Sequence, residues 1–135
     1  MDVMRVEVVS NEYNIYSGEA SFVVVPTVQG ELGIYPRHEP IMSLVRPGAL
    51  RLQIPGEKEE VLVAVSGGVL EVQPDKLTVL ADVAIRSSEM DQARAEEAKK
   101  AAEAGIAKAA DDEALAKAHS ALAVALAELK TLDYI

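Results

Sequence analysis

The amino-acid sequence predicts a β-sandwich of about nine to ten short strands, followed by a C-terminal antiparallel α-helical hairpin. All six prolines lie at or before Pro74, and seven of the eight glycines lie at or before Gly68. Apolar and polar residues alternate in the first part, whereas the second part consists mainly of Ala, Glu, Lys and Leu. We therefore predict a β-sandwich over residues 1–86 and a two-helix hairpin over residues 87–135.

The strands are predicted from short apolar segments bounded by turn residues. Because successive residues of a strand point to opposite sides, alternation gives a strand one apolar and one polar face. The segments are residues 4–8, 22–25, 49–54, 61–65, 69–72 and 77–80. The predicted turns are Pro47-Gly48, Pro55-Gly56, Gly67-Gly68 and Pro74-Asp75. About nine short strands are too many for one flat sheet of this length, so we expect two packed layers.

The helical part is predicted to contain two helices rather than one long helix. Ser88 followed by Asp91 gives an approximate capping box for the first helix. Gly105 is predicted to stop that helix, and the pair Asp111-Asp112 is predicted to cap the second one. Leucines then recur at three- and four-residue spacing, which places them on one helix face: Leu115, Leu122, Leu126, Leu129 and Leu132.

The hairpin is expected to be only marginally docked on the sandwich. Its first helix offers mostly alanine methyl groups and Met90 for packing, and its second helix adds one leucine face. Burying a leucine contributes roughly 1.5–3 kcal/mol, but ordering each residue costs about 1–2 kcal/mol. Such an element can release and pack on a different surface.

Composition excludes several classes of function. The chain has 135 residues and no cysteine, so a disulfide framework, a thiolate metal site and a cysteine nucleophile are absent. The net charge of −9 disfavours direct binding to nucleic acid or to an anionic membrane surface. We find neither a secretory signal nor an apolar run of about 20 residues, so we expect no direct membrane insertion.

Motifs for catalysis or metal binding are also lacking in the sequence. There is no phosphate-binding loop, no nucleophile elbow and no pair of histidines at ligand spacing. His119 lies on an alanine-rich helix and is expected to be exposed, and the acidic cluster at residues 57–60 is expected to be solvated. A hydrolase is disfavoured because no nucleophile, base and orienting group can be assembled. The sequence favours a non-catalytic protein that acts by contact.

The segment from Gly30 to Pro40 has an unusual composition for a turn. Two glycines and two prolines restrict its backbone, and three bulky apolar residues, Leu32, Ile34 and Tyr35, lie between charged neighbours. On residue types alone the segment is either a binding edge or a well-packed corner.

Two motifs resemble the epsilon subunit of the bacterial F-type ATP synthase. The stretch GELGIYP, residues 30–36, is similar to a signature loop of that family, and SGGVLEVQPDKLTVLAD, residues 66–82, is similar over two strands and their hairpin. Shorter similarities lie at Val9-Ser10, Ser17-Gly18 and Pro47-Gly48, and residues 91–95 resemble the start of the family's first helix. The resemblance covers nearly the whole chain.

The resemblance implies a subunit of the central stalk. Its sandwich would bind the gamma subunit and rest on the polar loops of the c-ring, coupling rotation of the ring to ATP synthesis. Its hairpin would either fold beside the sandwich or extend along gamma to the alpha/beta catalytic head and inhibit ATP hydrolysis. The implied location is the cytoplasmic face of the bacterial inner membrane, as a peripheral protein. The residues implied to face the c-ring are Glu31, Leu32, Gly33, Ile34, Tyr35, Arg37 and His38.

A nucleotide site is a second implication, because some relatives bind ATP through an Asp-x-x-Arg-Ala motif and further basic residues. Asp91 and Arg94 match this motif, but the second helix offers only Lys117 and Lys130 as cations. A triphosphate requires several convergent cations, so we expect no tight cofactor and at most weak ATP binding. The alternative functions are a free-standing nucleotide sensor built on these residues, or a purely structural helix start. Arg37 stands where many relatives have glycine.

Overall fold

The computed structural model describes residues 2–135, which form ten strands followed by two helices. The predicted fold class is confirmed. The strands are β1 (Met4–Val9), β2 (Asn14–Ala20), β3 (Phe22–Thr27), β4 (Gly30–Ile34), β5 (Ile41–Val45), β6 (Gly48–Gln53), β7 (Val61–Val65), β8 (Gly68–Val72), β9 (Lys76–Ala81) and β10 (Ala84–Arg86). A short 3₁₀ turn over Ser87–Glu89 leads to α1 (Gln92–Lys108) and α2 (Asp112–Leu132).

The strands form one continuous path that folds over itself. Their order is β10-β7-β6-β3-β5-β8-β9-β1-β2, and β4 pairs with β3 beside this path. All pairs are antiparallel except β1 with β9. β3 joins the two layers because its first residues pair with β6 while Thr27 pairs with β5. Strands β2 and β10, at the two ends of the path, approach each other and give the sandwich a barrel-like form.

The core is aliphatic and comes from the strands alone within residues 2–135. It contains Met4, Val6, Val8, Ala20, Val23, Val25, Ile34, Val45, Leu50, Leu52, Val63, Val65, Leu70, Val72, Leu77, Val79, Ala81 and Ala84. Because alternate residues of each strand supply this set, the other residues form the two outer faces of the sandwich.

The four predicted turn dipeptides all lie at strand junctions. Gly68 has φ of +140°, and a Cβ atom there would lie 2.0 Å from the carbonyl oxygen of Leu80. Glycine is therefore required for β8 and β9 to pair at this point.

Each helix begins after an aspartate whose side chain caps its first turn. Asp91 Oδ1 accepts a hydrogen bond of 2.9 Å from the backbone N–H of Arg94, and Asp111 Oδ1 accepts one of 2.7 Å from that of Ala114. The cap predicted at Asp111 is confirmed. The capping box with Ser88 is wrong, since Ser88 lies in the 3₁₀ turn and Asp91 itself is the N-cap.

Gly105 does not stop α1, contrary to the prediction, because the helix continues to Lys108. A Cβ atom at Gly105 would lie 3.3 Å from Cβ of Ala118 in α2. The glycine instead allows the two helices to approach closely.

Helix α2 lies between α1 and the sandwich, where it contacts β6 and β7. The predicted leucine face is half-buried and shares its side of the helix with Ala118, so it packs toward α1. Ala127 and Thr131 lie on the opposite side, are 1% and 0% exposed, and pack toward the strands. The hairpin is thus folded beside the sandwich, and small side chains make its contact.

Candidate functional site

The first five residues of the segment from Gly30 to Pro40 form a β-strand rather than a loop. Residues Gly30–Ile34 form β4, which pairs with β3 as a hairpin. Ile34, one of the predicted ring-facing residues, is fully buried in the core, so its side chain is not accessible to a partner in this structure. Leu32 packs against the core, and a Cβ atom at Gly33 would lie 2.8 Å from the ring of Phe22. Much of the apolar bulk in this segment therefore serves packing.

Tyr35 is the apolar residue of this segment that remains accessible. It is 64% exposed, and its ring stacks on that of Phe22 with centroids 4.4 Å apart. The stacking holds an amphipathic side chain at the surface, where it can contact a partner.

The seven predicted ring-facing residues are spread along β4 and the segment that follows it. Glu31, opposite Pro26, is near the β3–β4 turn, whereas Arg37 and His38 follow the other end of the strand. Four residue steps of a strand span roughly 13 Å, so a single flat surface at one end cannot include both groups. The structure therefore does not bring the seven residues together.

Arg37 and His38 are held beside the β8–β9 turn. The backbone N–H of Arg37 donates a 2.7 Å hydrogen bond to the carbonyl of Pro74, and its guanidinium lies 3.1 Å from the carboxylate of Asp2. Arg37 has φ of +68°, a backbone conformation that favours glycine. His38 Nδ1 donates a 2.7 Å hydrogen bond to the carbonyl of Glu39.

A row of apolar side chains crosses the outer face of four neighbouring strands. In the observed register Leu44 pairs with Val69, Val69 with Leu80, and Leu80 with Val9. Directly paired residues point to the same side, so these four side chains form one continuous apolar stripe. Leu44 is 60% exposed and Leu80 is 56% exposed, and Met42, two residues from Leu44, is 70% exposed.

The apolar stripe was not predicted from the sequence. The register of four strands that are distant in sequence decides which residues become neighbours. A partial signal was present, since Leu80 is three residues after buried Leu77 and must therefore point to the opposite face.

The other outer face of the sandwich is covered by α2. Ala49, Leu62 and Ala64 point away from the core, yet they are only 5%, 7% and 3% exposed. We call these three residues the helix-covered face. Two of them are alanines, whose small side chains allow the helix backbone to lie close to the sheet.

The candidate nucleotide residues do not form a phosphate-binding cluster. The Asp91 carboxylate is used as the cap of α1. Burial raises the pKa of the Glu128 carboxyl, and the charge of Arg94 partly opposes that rise. A carboxylate near Arg94 competes with a phosphate for it. Within residues 2–135 no group of three His, Asp or Glu side chains could hold a metal ion.

Comparison with known proteins gives the family. The model of the ATP synthase delta/epsilon chain β-sandwich domain matches residues 3–87, and the model of the long α-helix domain of the same chain matches residues 88–133. The ATP synthase epsilon chain of a Neisseria meningitidis serogroup C strain is 84% identical over 135 residues, covering 100% of this chain and 96% of the relative. The epsilon chain of Chromobacterium violaceum is 63% identical with the same coverage.

Solved structures support the fold. A chain in the mitochondrial ATP synthase OSCP/F1/c-ring assembly of Euglena gracilis superposes with a TM-score of 0.74 at 19% identity, covering 98% of this chain and 80% of that one. No helix in residues 2–135 has the length and hydropathy needed to cross a membrane. From the matches to both family models and the high identity to its relatives, we conclude that the chain belongs to the ATP synthase delta/epsilon chain family.

Proposed function

We propose that this chain, a non-catalytic subunit of ATP synthase, couples rotation of the c-ring to the gamma subunit through its sandwich. The carrying observation is the apolar stripe, in which Leu44 and Leu80 are exposed and Val9 and Val69 are half-buried, while the opposite outer face is covered. Contiguous exposed apolar surface on a soluble domain typically marks an interaction site. The stripe is the surface that we assign to gamma.

Charge around the stripe indicates the chemistry of the partner. The adjacent row of paired residues contains Glu7 and Glu71, opposite Thr78 of β9. Arg5 and Ser17 hydrogen-bond to Glu7 and lower the pKa of its carboxyl, so it stays charged. We expect the surface of gamma to present apolar side chains flanked by basic ones.

Binding of a tagged gamma subunit tests this surface. Leu80→Asp places a charge in the centre of the stripe and should weaken binding roughly 30- to 1000-fold, the range of hot-spot residues. Val28→Asp is the matched control, because Val28 is 60% exposed but lies outside the stripe. Unchanged affinity of Leu80→Asp, with a folded sandwich by circular dichroism, would remove the stripe from the interface.

We propose that the c-ring contacts only one end of the sandwich, at the β3–β4 turn. The β3–β4 turn exposes Val28, and Glu31 lies next to it. We assign this end to the polar loops of the ring, which leaves Ile34, Arg37 and His38 outside the contact. Glu31→Lys should reduce proton pumping coupled to ATP hydrolysis in membranes, whereas Arg37→Ala with His38→Ala should not. The opposite result would place the ring at the other end.

The hairpin is proposed to restrain ATP hydrolysis when it leaves the sandwich and reaches the alpha/beta catalytic head. Support comes from its contact through small side chains and from a core to which the helices contribute no residue within the described chain. Deletion of residues 88–135 should preserve assembly and ATP synthesis and raise hydrolysis by the complex. Loss of assembly would contradict this division of roles.

Tight ATP binding is not part of the proposed function. Asp91 is engaged as a helix cap, and the charge of Arg94 interacts with the Glu128 carboxyl. Titration calorimetry with Mg-ATP should show no saturable binding at micromolar ligand. Saturable binding that Arg94→Ala abolishes would favour the alternative of a nucleotide sensor.

Partners in the complex are proposed to hold the chain peripherally at the cytoplasmic face of the bacterial inner membrane.

A further inference from the structure

A charged pair lies on the sandwich beside the helix-covered face. Arg51 of β6 is paired in register with Leu62 of β7 and points outward with it. Its Nε and Nη2 atoms donate hydrogen bonds of 3.3 and 3.0 Å to one carboxylate oxygen of Glu60. The two side chains are 29% and 26% exposed, so the guanidinium is fixed in position and partly shielded from water.

The end of the hairpin covers this pair with an aromatic ring. Tyr134 follows the last turn of α2, and the Cζ atom of Arg51 lies 4.5 Å from the centre of its ring. A guanidinium over an aromatic face is attracted by the electron density of the ring, and the attraction grows as both groups lose water. Here the cation belongs to the sandwich and the ring to the hairpin, so the contact exists only in the docked state.

The other contacts between α2 and the sandwich come mostly from small side chains, so the contact of Arg51 with Tyr134 is important. On the side of α2 that packs toward the strands, the buried residues are Ala127 and Thr131, whose side chains are small. The hydroxyl of Thr131 donates to the carbonyl of Ala127 in its own helix and gives no polar bond to the strands. Lys130 Nζ donates a 3.3 Å hydrogen bond to the carbonyl of Pro47, a second polar contact between α2 and the sandwich.

One feature of the charged pair weakens the docked state. The second carboxylate oxygen of Glu60 is buried and accepts no hydrogen bond from any residue in 2–135. A buried acceptor without a donor opposes burial, and release of the hairpin would expose it to water. The contact with Tyr134 therefore acts against this cost.

We propose that Arg51, positioned by Glu60, and Tyr134 form a latch that sets the fraction of molecules in which the hairpin is docked. The latch is a property of the isolated chain and does not rest on the proposed restraint of hydrolysis. Loss of the cation–aromatic contact should increase the released fraction roughly 2- to 30-fold, the range that corresponds to such contacts.

A cysteine reporter can measure the released fraction, because the chain has no native cysteine. Ala64→Cys places one thiol on β7 under α2, where release of the hairpin exposes it. Val63→Cys is the matched control, because Val63 is the preceding residue of the same strand but points into the core and is 0% exposed. Its thiol reacts only when the sandwich itself unfolds.

The rate of thiol labelling in the native full-length chain gives the test. Tyr134→Leu keeps an apolar side chain without an aromatic face and should accelerate labelling at Cys-substituted position 64 roughly 2- to 30-fold, with no change at position 63. Arg51→Lys should accelerate it less, because lysine keeps the charge but not the planar group. Tyr134→Phe keeps the aromatic face and should accelerate labelling less than Tyr134→Leu does.

Three outcomes would overturn the latch. The first is an unchanged labelling rate at position 64 in Tyr134→Leu. The second is an equal acceleration at positions 63 and 64, which would mean that Tyr134 stabilises the whole fold rather than the docked hairpin. Combining Arg51→Lys with Tyr134→Leu should add little to Tyr134→Leu alone, and full additivity would also contradict a shared contact.

Discussion

The two outer faces of the sandwich carry apolar residues but differ in their side-chain size and in what covers them. The helix-covered face consists of Ala49, Leu62 and Ala64 and is buried by α2 of the same chain. The apolar stripe on the opposite layer carries Leu44 and Leu80, which are more than half exposed. Small residues permit close helix packing, whereas large exposed ones offer contact area to another protein. One face is thus satisfied within the chain, and the other is available to a partner.

The largest expected effect comes from breaking the sheet under the stripe. Gly68→Ala would place a Cβ atom 2.0 Å from the carbonyl oxygen of Leu80, at a φ of +140° that alanine rarely adopts. Because the obstacle is backbone, β8 and β9 would have to separate. We expect a loss of about 4 kcal/mol or more in the free energy of unfolding, measured by denaturant titration.

Gly30→Ala is the control for this substitution. Gly30 also has positive φ, at +112°, but no atom lies within 4 Å of the position that a Cβ atom would occupy there. The cost should be only about 1–2 kcal/mol, from backbone strain alone. Equal losses for the two variants would show that the close approach at Gly68 is not what requires glycine.

The next largest effect concerns the size of residues under α2. Ala64→Leu adds bulk where the side chain is 3% exposed, so α2 would have to move away from the strands. Overpacking of this kind costs about 1–3 kcal/mol, and amide hydrogen exchange should show the loss in α1 and α2 but not in the core strands. Glu71→Leu, at an exposed position on the free layer, should leave exchange of the helices unchanged.

A pair of leucine-to-serine variants compares the two faces directly. Leu62→Ser removes an apolar side chain that is 7% exposed and should cost about 1–3 kcal/mol of unfolding free energy. Leu80→Ser removes one that is 56% exposed and should change stability by less than about 0.5 kcal/mol. Thermal and denaturant unfolding measure both. Similar losses would contradict the assignment of the stripe as a surface free of intramolecular packing.

The smallest effect concerns Glu128 in the hairpin. Burial raises the pKa of its carboxyl, so the folded state holds the proton more tightly than the unfolded state does. Its ionised form therefore destabilises the fold at neutral pH, and this loss disappears as pH falls below about 4.5, the ordinary value. Glu128→Gln should raise stability at pH 7 by less than about 0.5 kcal/mol, since solvent screens the site.

The pH dependence of stability tests whether folding raises or lowers the pKa of Glu128. The difference between Glu128→Gln and the parent chain should shrink toward zero as pH falls from 7 to about 4.5. A Glu128→Gln variant that is less stable than the parent chain at pH 7 would mean that Arg94, rather than burial, dominates the environment of this carboxyl.

Several elements were predictable from local chemistry. The turn dipeptides and the cap at Asp111 were confirmed because glycine, proline and aspartate restrict or satisfy the backbone at their own positions. Gly105 was misassigned, since only the neighbouring Ala118 explains a glycine inside a continuous helix. Residues 30–34 were assigned to a loop because glycine and proline obscured a strand that pairs with β3.

The sequence by itself determined the fold class, the absence of cysteine chemistry and the change from strands to helices, because alternation, composition and turn residues act over a few neighbouring positions. Only the tertiary structure decided which apolar residues share a face. The stripe of Val9, Leu44, Val69 and Leu80 depends on strand register, and the contact of Arg51 with Tyr134 joins residues far apart in sequence. Such contacts arise from packing of the whole chain, which no local pattern records.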